Sequence, residues 1–228
     1  MLRRTCVLFA AVFTIASLAA FTSSCGSSSS GAKVRLVNGT PDEASLDLLI
    51  DTKSAATGVA YGASSSYVGI ATGTRKLQIE PTGTTTLLAD RSDSISARTN
   101  YTLLSLNFSF DPQSVLLIDD NTAPDSGNFK LRVINASPGM GIQDVYIVPD
   151  GTDINSVDPT FPGLAFQGVT TYSSLAAGDY HVIFAVAGQK FINLDSGKIT
   201  FASRQIRTAL GLNNPAGSFE FAMLTDAN

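Results

Sequence analysis

The sequence predicts an all-β chain: two tandem β-sandwich domains of immunoglobulin-like architecture, about seven strands each, behind an N-terminal signal helix. Three observations predict it. Arg75, Leu77 and Ile79 alternate with Lys76, Gln78 and Glu80, and Tyr180, Val182 and Phe184 alternate with His181, Ile183 and Ala185. That is the period-two pattern of strands with one face inward. Short runs of Val, Ile, Leu, Thr and aromatics are broken by Gly, Pro, Asn and Ser clusters roughly every 8–12 residues. The body also repeats itself, and no stretch beyond the N-terminal segment has helical spacing. A small barrel is the alternative architecture.

The first element is not part of the body. Met1-Leu2-Arg3-Arg4 is basic, Thr5–Phe21 is apolar, and Thr22-Ser23-Ser24-Cys25-Gly26 is small-residue sequence, the three parts of an export signal. Cys25, behind Ser23 and Ser24, resembles the bacterial lipobox, in which the cysteine becomes an acylated N-terminus. Several acyl chains anchor stably where one does not. Ordinary secretion and a retained anchor helix are the alternatives. Residues 25–32 then read as a Gly/Ser tether. Removal of residues 1–24 takes away Arg3 and Arg4 but no acid, so the net charge moves from −4 to −6. It also takes Cys6, which leaves Cys25 without a disulfide partner.

The body repeats with one insertion. Val34-Arg35-Leu36-Val37-Asn38-Gly39-Thr40-Pro41 matches Leu131-Arg132-Val133-Ile134-Asn135-Ala136-Ser137-Pro138 at an offset of 97, as Asp47-Leu48-Leu49-Ile50 matches Asp144-Val145-Tyr146-Ile147. Val59-Ala60-Tyr61 and Leu164-Ala165-Phe166, Tyr67 and Tyr172, and Gly73 and Gly178 match at 105, so the second copy carries 8 extra residues after Ile147. These offsets divide the chain into repeat 1 (33–121), a linker (122–129) and repeat 2 (130–228). Further strands are expected at 44–51, 84–89, 99–108 and 114–119, with counterparts at 141–148, 190–194, 204–212 and 218–224. A hairpin centred on Pro41 would set Arg35 opposite Asp47, and the same register would set Arg132 opposite Asp144, as structural ion pairs.

Val34 to Asp42, Asp47 to Asp51, Val59-Ala60-Tyr61-Gly62 and Tyr67 to Gly73 resemble the domain-of-unknown-function 4397 family (DUF4397). In the second copy Asn135-Ala136-Ser137-Pro138, Asp144 to Ile147 and Leu175-Ala176-Ala177-Gly178 do so too. The sequence departs from that pattern at Gly139-Met140-Gly141 and at the insertion. The resemblance implies tandem β-sandwich modules on exported bacterial proteins, often lipoproteins, and it carries no catalytic residues with it.

Composition narrows the chemistry. A pI near 4.9 opposes nucleic-acid binding, which needs clustered Lys and Arg. With one His and two Cys there is little from which to build a metal or thiol site. No cofactor is expected, and no catalytic or metal-ligating residue is assigned. His181 shares its place with Lys76 and reads as a solvated strand residue. Asp150-Gly151-Thr152-Asp153-Ile154-Asn155 superficially suggests a calcium cage, but its spacing does not fit an EF-hand loop. Tyr61, Tyr67, Tyr146 and Tyr172 form the candidate binding surface, because aromatics give rigid contact area. The expectation is a non-enzymatic, lipid-anchored envelope protein in the outer membrane. It would bind an envelope protein or polysaccharide and meet the membrane through acylated Cys25. A hydrolase of envelope polymers using loop carboxylates (Asp42, Glu43, Asp119, Asp120, Asp150, Asp153 and Asp158) is the alternative.

Overall fold

In the first half, eight strands form two four-stranded sheets: β1 (Lys33–Gly39), β2 (Ser45–Ile50), β3 (Lys53–Ala60), β4 (Val68–Gly69), β5 (Gly73–Pro81), β6 (Ala89–Ile95), β7 (Asn100–Leu106) and β8 (Gln113–Asp119). One sheet has the order β4-β1-β7-β8 and the other β3-β2-β5-β6. The computed structural model describes residues 31–214 and 216–227; the signal segment, Cys25 and most of the tether lie outside them. Alternation works as read from the sequence. Val34, Leu36, Leu46, Leu48, Leu77, Ile79 and Leu103 meet between the two sheets and are fully buried.

Nine strands build the second half: β9 (Asn128–Asn135), β10 (Gln143–Pro149), β11 (Phe161–Leu164), β12 (Ser173–Ala176), β13 (Gly178–Val186), β14 (Ile192–Asp195), β15 (Ile199–Phe201), β16 (Ile206–Asn213) and β17 (Phe219–Ala227). One sheet runs β12-β9-β16-β17, the order of β4-β1-β7-β8, and the other runs β11-β10-β13-β14 with β15 also on β13. Phe129, Leu131, Val133, Val145, Val182, Phe184 and Ala209 fill the space between them. In each half the entering strand pairs in parallel with a late one, β1 with β7 and β9 with β16.

The two halves are joined face to face. β1 is buried on both sides after Lys33, because only Val34 and Leu36 point into their own sandwich. Val37, Leu104 and Leu106 point the other way and pack with Ile134, Ala136, Leu210, Leu212 and Leu224 of the second half. This seam is a third apolar core, and it explains why apolar residues flank Arg35 and Arg132 on both faces of β1 and β9. Tyr61 and Gln113 of the first half meet Asn213 and Gln167 of the second, so β1 and β9 start at the same end and point the same way. The described residues begin and finish at that starting end. The opposite end, called distal below, carries the β1–β2, β5–β6 and β7–β8 loops with their second-half counterparts.

Two expectations are corrected. β1 and β2 belong to different sheets, so no hairpin pairs Arg35 with Asp47 or Arg132 with Asp144. Asn38 turns the chain out of the sheet, its Nδ2 donating to the carbonyls of Glu43 and Val59 and its Oδ1 accepting from the Thr40 amide. Asn135 repeats these bonds with Gly141, Leu164 and Ser137. The strand expected at 84–89 lies at Ala89–Ile95. Leu87-Leu88 belongs to the β5–β6 connection, and the strand itself is polar because it is a sheet edge. The insertion is a bend and one 3-10 turn, Ile154–Ser156, capped by Asp153.

Seam packing predicts one cooperative unit. Leu104→Ala removes a side chain shared by both halves and should cost about 2–5 kcal/mol. Calorimetry should show one unfolding transition before and after the change; two separated transitions would contradict a shared core.

Candidate functional site

The seam also contains the most concentrated buried polar chemistry described. Arg35 on β1 reaches across the halves to Asp226 on β17, Nη2 to Oδ1 at 2.5 Å, and both side chains are at most 1% exposed. Arg132 on β9 reaches back to Asp119 on β8 at 2.8 Å, again buried. Each carboxylate is saturated in the same way. Asp119 Oδ2 accepts from Thr102 at 2.7 Å and Tyr67 at 2.6 Å; Asp226 Oδ2 accepts from Thr208 at 2.6 Å and Tyr172 at 2.7 Å. The guanidinium of Arg35 lies 4.9 Å from the Tyr67 ring centroid, and that of Arg132 lies 4.8 Å from Tyr172. Burial opposes the Arg35 charge, but Asp226 foremost outweighs it and its pKa rises. Burial pushes the Tyr67 and Tyr172 phenols up, so both remain protonated and donate. A buried charge must be paired and bonded to be tolerated, and this arrangement meets that condition twice.

All four candidate tyrosines have a partner within the chain. Tyr67 and Tyr172 sit in the seam, and the Tyr61 hydroxyl donates to the Asn213 carbonyl at 2.5 Å. Tyr146 is buried at 1% exposure, accepting from Lys190 Nζ at 2.9 Å. The structure therefore brings Tyr67 and Tyr172 into one network and leaves Tyr146 elsewhere. Sequence reasoning missed Asp119 and Asp226 as Arg partners. Asp47 and Asp144, which it chose instead, hold glycine amides: Asp47 takes Gly58 at 2.7 Å, and Asp144 takes Gly163 and Gly188, both at 2.8 Å. Gly58 and Gly163 have φ of +68° and +70°, a region costly for residues with a Cβ.

A second cluster lies on the outer face of the second half. His181 stays partly exposed, as expected of an outer strand face, but it is paired: its side chain is 22% exposed, Nδ1 is 2.8 Å from Asp195 and Nε2 is 3.1 Å from Asp150. Lys198 bridges Asp150 and Asp179. The hydrogen bond to Asp195, then that to Asp150, holds the imidazolium above its ordinary pKa. Lys198 and then His181 hold Asp150 below its ordinary value. Beside the cluster is an open cleft of about 450 Å³ lined by Ile183, Ile192, Lys190 and the insertion. Asp153 spends its carboxylate on the Asn155 amide and side chain, and no His, Cys, Asp and Glu grouping among the described residues could hold a metal ion. Nor is any described helix long and apolar enough to cross a membrane.

Residues 32–146 match the model of the family described as "Domain of unknown function (DUF4397)". No curated protein matches the chain. Among solved structures, the chain overlaps one described as alpha-glucan binding by a streptococcal virulence factor, at 12% identity, TM-score 0.27, and 78% and 92% coverage of this chain and that one. A second, on alpha-glucan recognition by family 41 carbohydrate-binding modules from streptococcal virulence factors, gives 13%, 0.26, 81% and 98%. A third, the CBM26 module of Eubacterium rectale Amy13K with maltoheptaose, gives 11%, 0.27, 86% and 97%. Superpositions this loose carry no argument about a ligand here.

Two predictions arise from these clusters. Arg35→Met leaves Asp226 buried without its hydrogen-bonded cation and should cost about 3–5 kcal/mol. Arg35→Met with Asp226→Leu should recover most of it, which chemical denaturation of the three proteins would show. Folded His181 binds its proton more tightly than unfolded, so its stabilisation is full below pH 6.5 and fades as pH rises through the raised value. The Tm gap between wild type and His181→Gln should be widest just below pH 6.5 and should close in alkali. A pH-independent gap would contradict the assignment.

Proposed function

We propose that this chain, which belongs to the DUF4397 family, is an exported lipoprotein acylated at Cys25. Its two sandwiches, tandem copies of the family domain, act as one non-enzymatic binding or scaffolding body at the outer membrane. The observation that carries this reading is the seam. Buried reciprocal Arg–Asp pairs and a shared apolar core make the halves one rigid frame, the kind of support on which surface loops serve as contact sites. The frame also places its N-terminal side, where a tether would attach, opposite its distal loops.

The alternative, hydrolysis by loop carboxylates, would use a pair of acids flanking a bond. The buried Asp119 and Asp226 each accept from their own Arg, Thr and Tyr, and no observation favours that reading. Anchoring is tested by Cys25→Ala. Wild type should fractionate with membranes and incorporate labelled palmitate, whereas the variant should do neither; an unlabelled wild type, or a variant that still takes up label, would overturn lipidation at Cys25. Incubation of the purified protein with envelope polysaccharides should release no new ends, and turnover would revive the hydrolase.

A further inference from the structure

The distal end differs in chemistry from the end where the described chain begins. Large hydrophobics are exposed at six described positions. Five of them are in or beside distal connections: Leu87 in β5–β6, Phe110 in β7–β8, Ile142 before β10, Phe191 in β13–β14 and Ile192 at the start of β14. Phe110 is 82% exposed, Phe191 65% and Ile142 56%. The sixth, Ile118, lies near the opposite end of β8. Charge is divided the other way. Distal segments 40–44, 82–88, 107–112, 136–142, 187–191 and 214–218 contain only Asp42, Glu43, Asp111 and Lys190 as charged residues. Lys190 is already committed, its Nζ bonded to Tyr146, Ile154 and Val157. What remains is apolar and aromatic tips with an acidic margin.

These loops are held in place. The Ser109 amide and hydroxyl donate to Asp42, tying the β7–β8 loop to the β1–β2 loop. Asn107 Nδ2 donates to the Asp111 carbonyl at 2.9 Å, and Phe108 stacks on Phe110 at 5.5 Å between centroids. Preorganised loops lose little entropy on binding. Depletion of charge around aromatic anchors is the compositional mark of a protein interface core. An anionic lipid surface would instead call for free Lys or Arg, and a second copy of this chain would set Asp42, Glu43 and Asp111 against their like.

We propose that the distal loop face, centred on Phe110 and Phe191, docks a protein partner whose surface offers apolar sockets with a basic rim. This names the partner class for the binding body proposed above and rests on that reading. The test places a photo-crosslinking phenylalanine analogue at 110, 191 or 118 of the full lipidated chain in intact cells, with membrane fractionation in parallel. Positions 110 and 191 should give discrete protein adducts and 118 none. The captured protein, purified, should bind the wild type roughly tenfold or more tightly than it binds Phe110→Ser with Phe191→Ser. It should also bind Glu43→Lys more weakly, with each variant's circular dichroism unchanged. Adducts from 118 alone, no adduct from any site, adducts to polysaccharide only, or equal affinities would overturn the docking face. Distal adducts from a chain found in the soluble fraction would instead overturn the anchoring and leave the face standing.

Discussion

The fold depends on charge satisfaction at the centre of the seam. Arg35 and Arg132 are each buried in one half and each finds its carboxylate in the other. Neither half alone contains the partner its arginine meets, so separation would leave two guanidinium groups and two carboxylates to be rehydrated or paired anew. The apolar seam around them supplies the attraction, while the crossed pairs specify which faces meet and in which register. Thr102 and Tyr67 in one half, and Thr208 and Tyr172 in the other, occupy the remaining carboxylate lone pairs.

The halves differ most on their outer faces. In the second half Tyr146, Val148, Ile183 and Ala185 form an apolar surface there, covered by Ile154 and Val157 of the insertion. Lys190 clamps that cover through the carbonyls of Ile154 and Val157. The positions offset from Ile183 and Ala185 in the first half are polar: Gln78, still buried at 6% exposure, and Glu80. The eight extra residues thus go with an apolar sheet face, and the polar sheet does without them.

Much of the fold was legible because a strand writes its period into adjacent residues. Val34 and Leu36, or Leu77 and Ile79, declare an inner face within a handful of positions. The matched offsets pointed to Asn38 and Asn135, whose identical bonding is the physical content of that match. Long-range pairing was not legible. Arg35 and Asp226 are 191 residues apart, and nothing local distinguishes Asp226 from Asp47 as a partner. The same blindness left His181 without partners, since Asp150 follows β10 and Asp195 ends β14. The tyrosines were noticed for their chemistry, but only the packing of one half on the other places Tyr67 and Tyr172 beside the arginines.

The parallel pairing of β1 with β7 has a mechanical consequence. A pull on the chain at residue 31, resisted at the distal loops, acts along β1 from its first residue. The ladder from Lys33–Asn100 to Gly39–Leu106 is then loaded in shear, and its rungs share the force instead of opening one at a time as in unzipping. Extraction of β1 would also drag Arg35 out of its ion pair and Val37 out of the shared core. The first described strand is therefore fastened on both faces and along its whole length, and tension entering at residue 31 meets that shear-loaded ladder first.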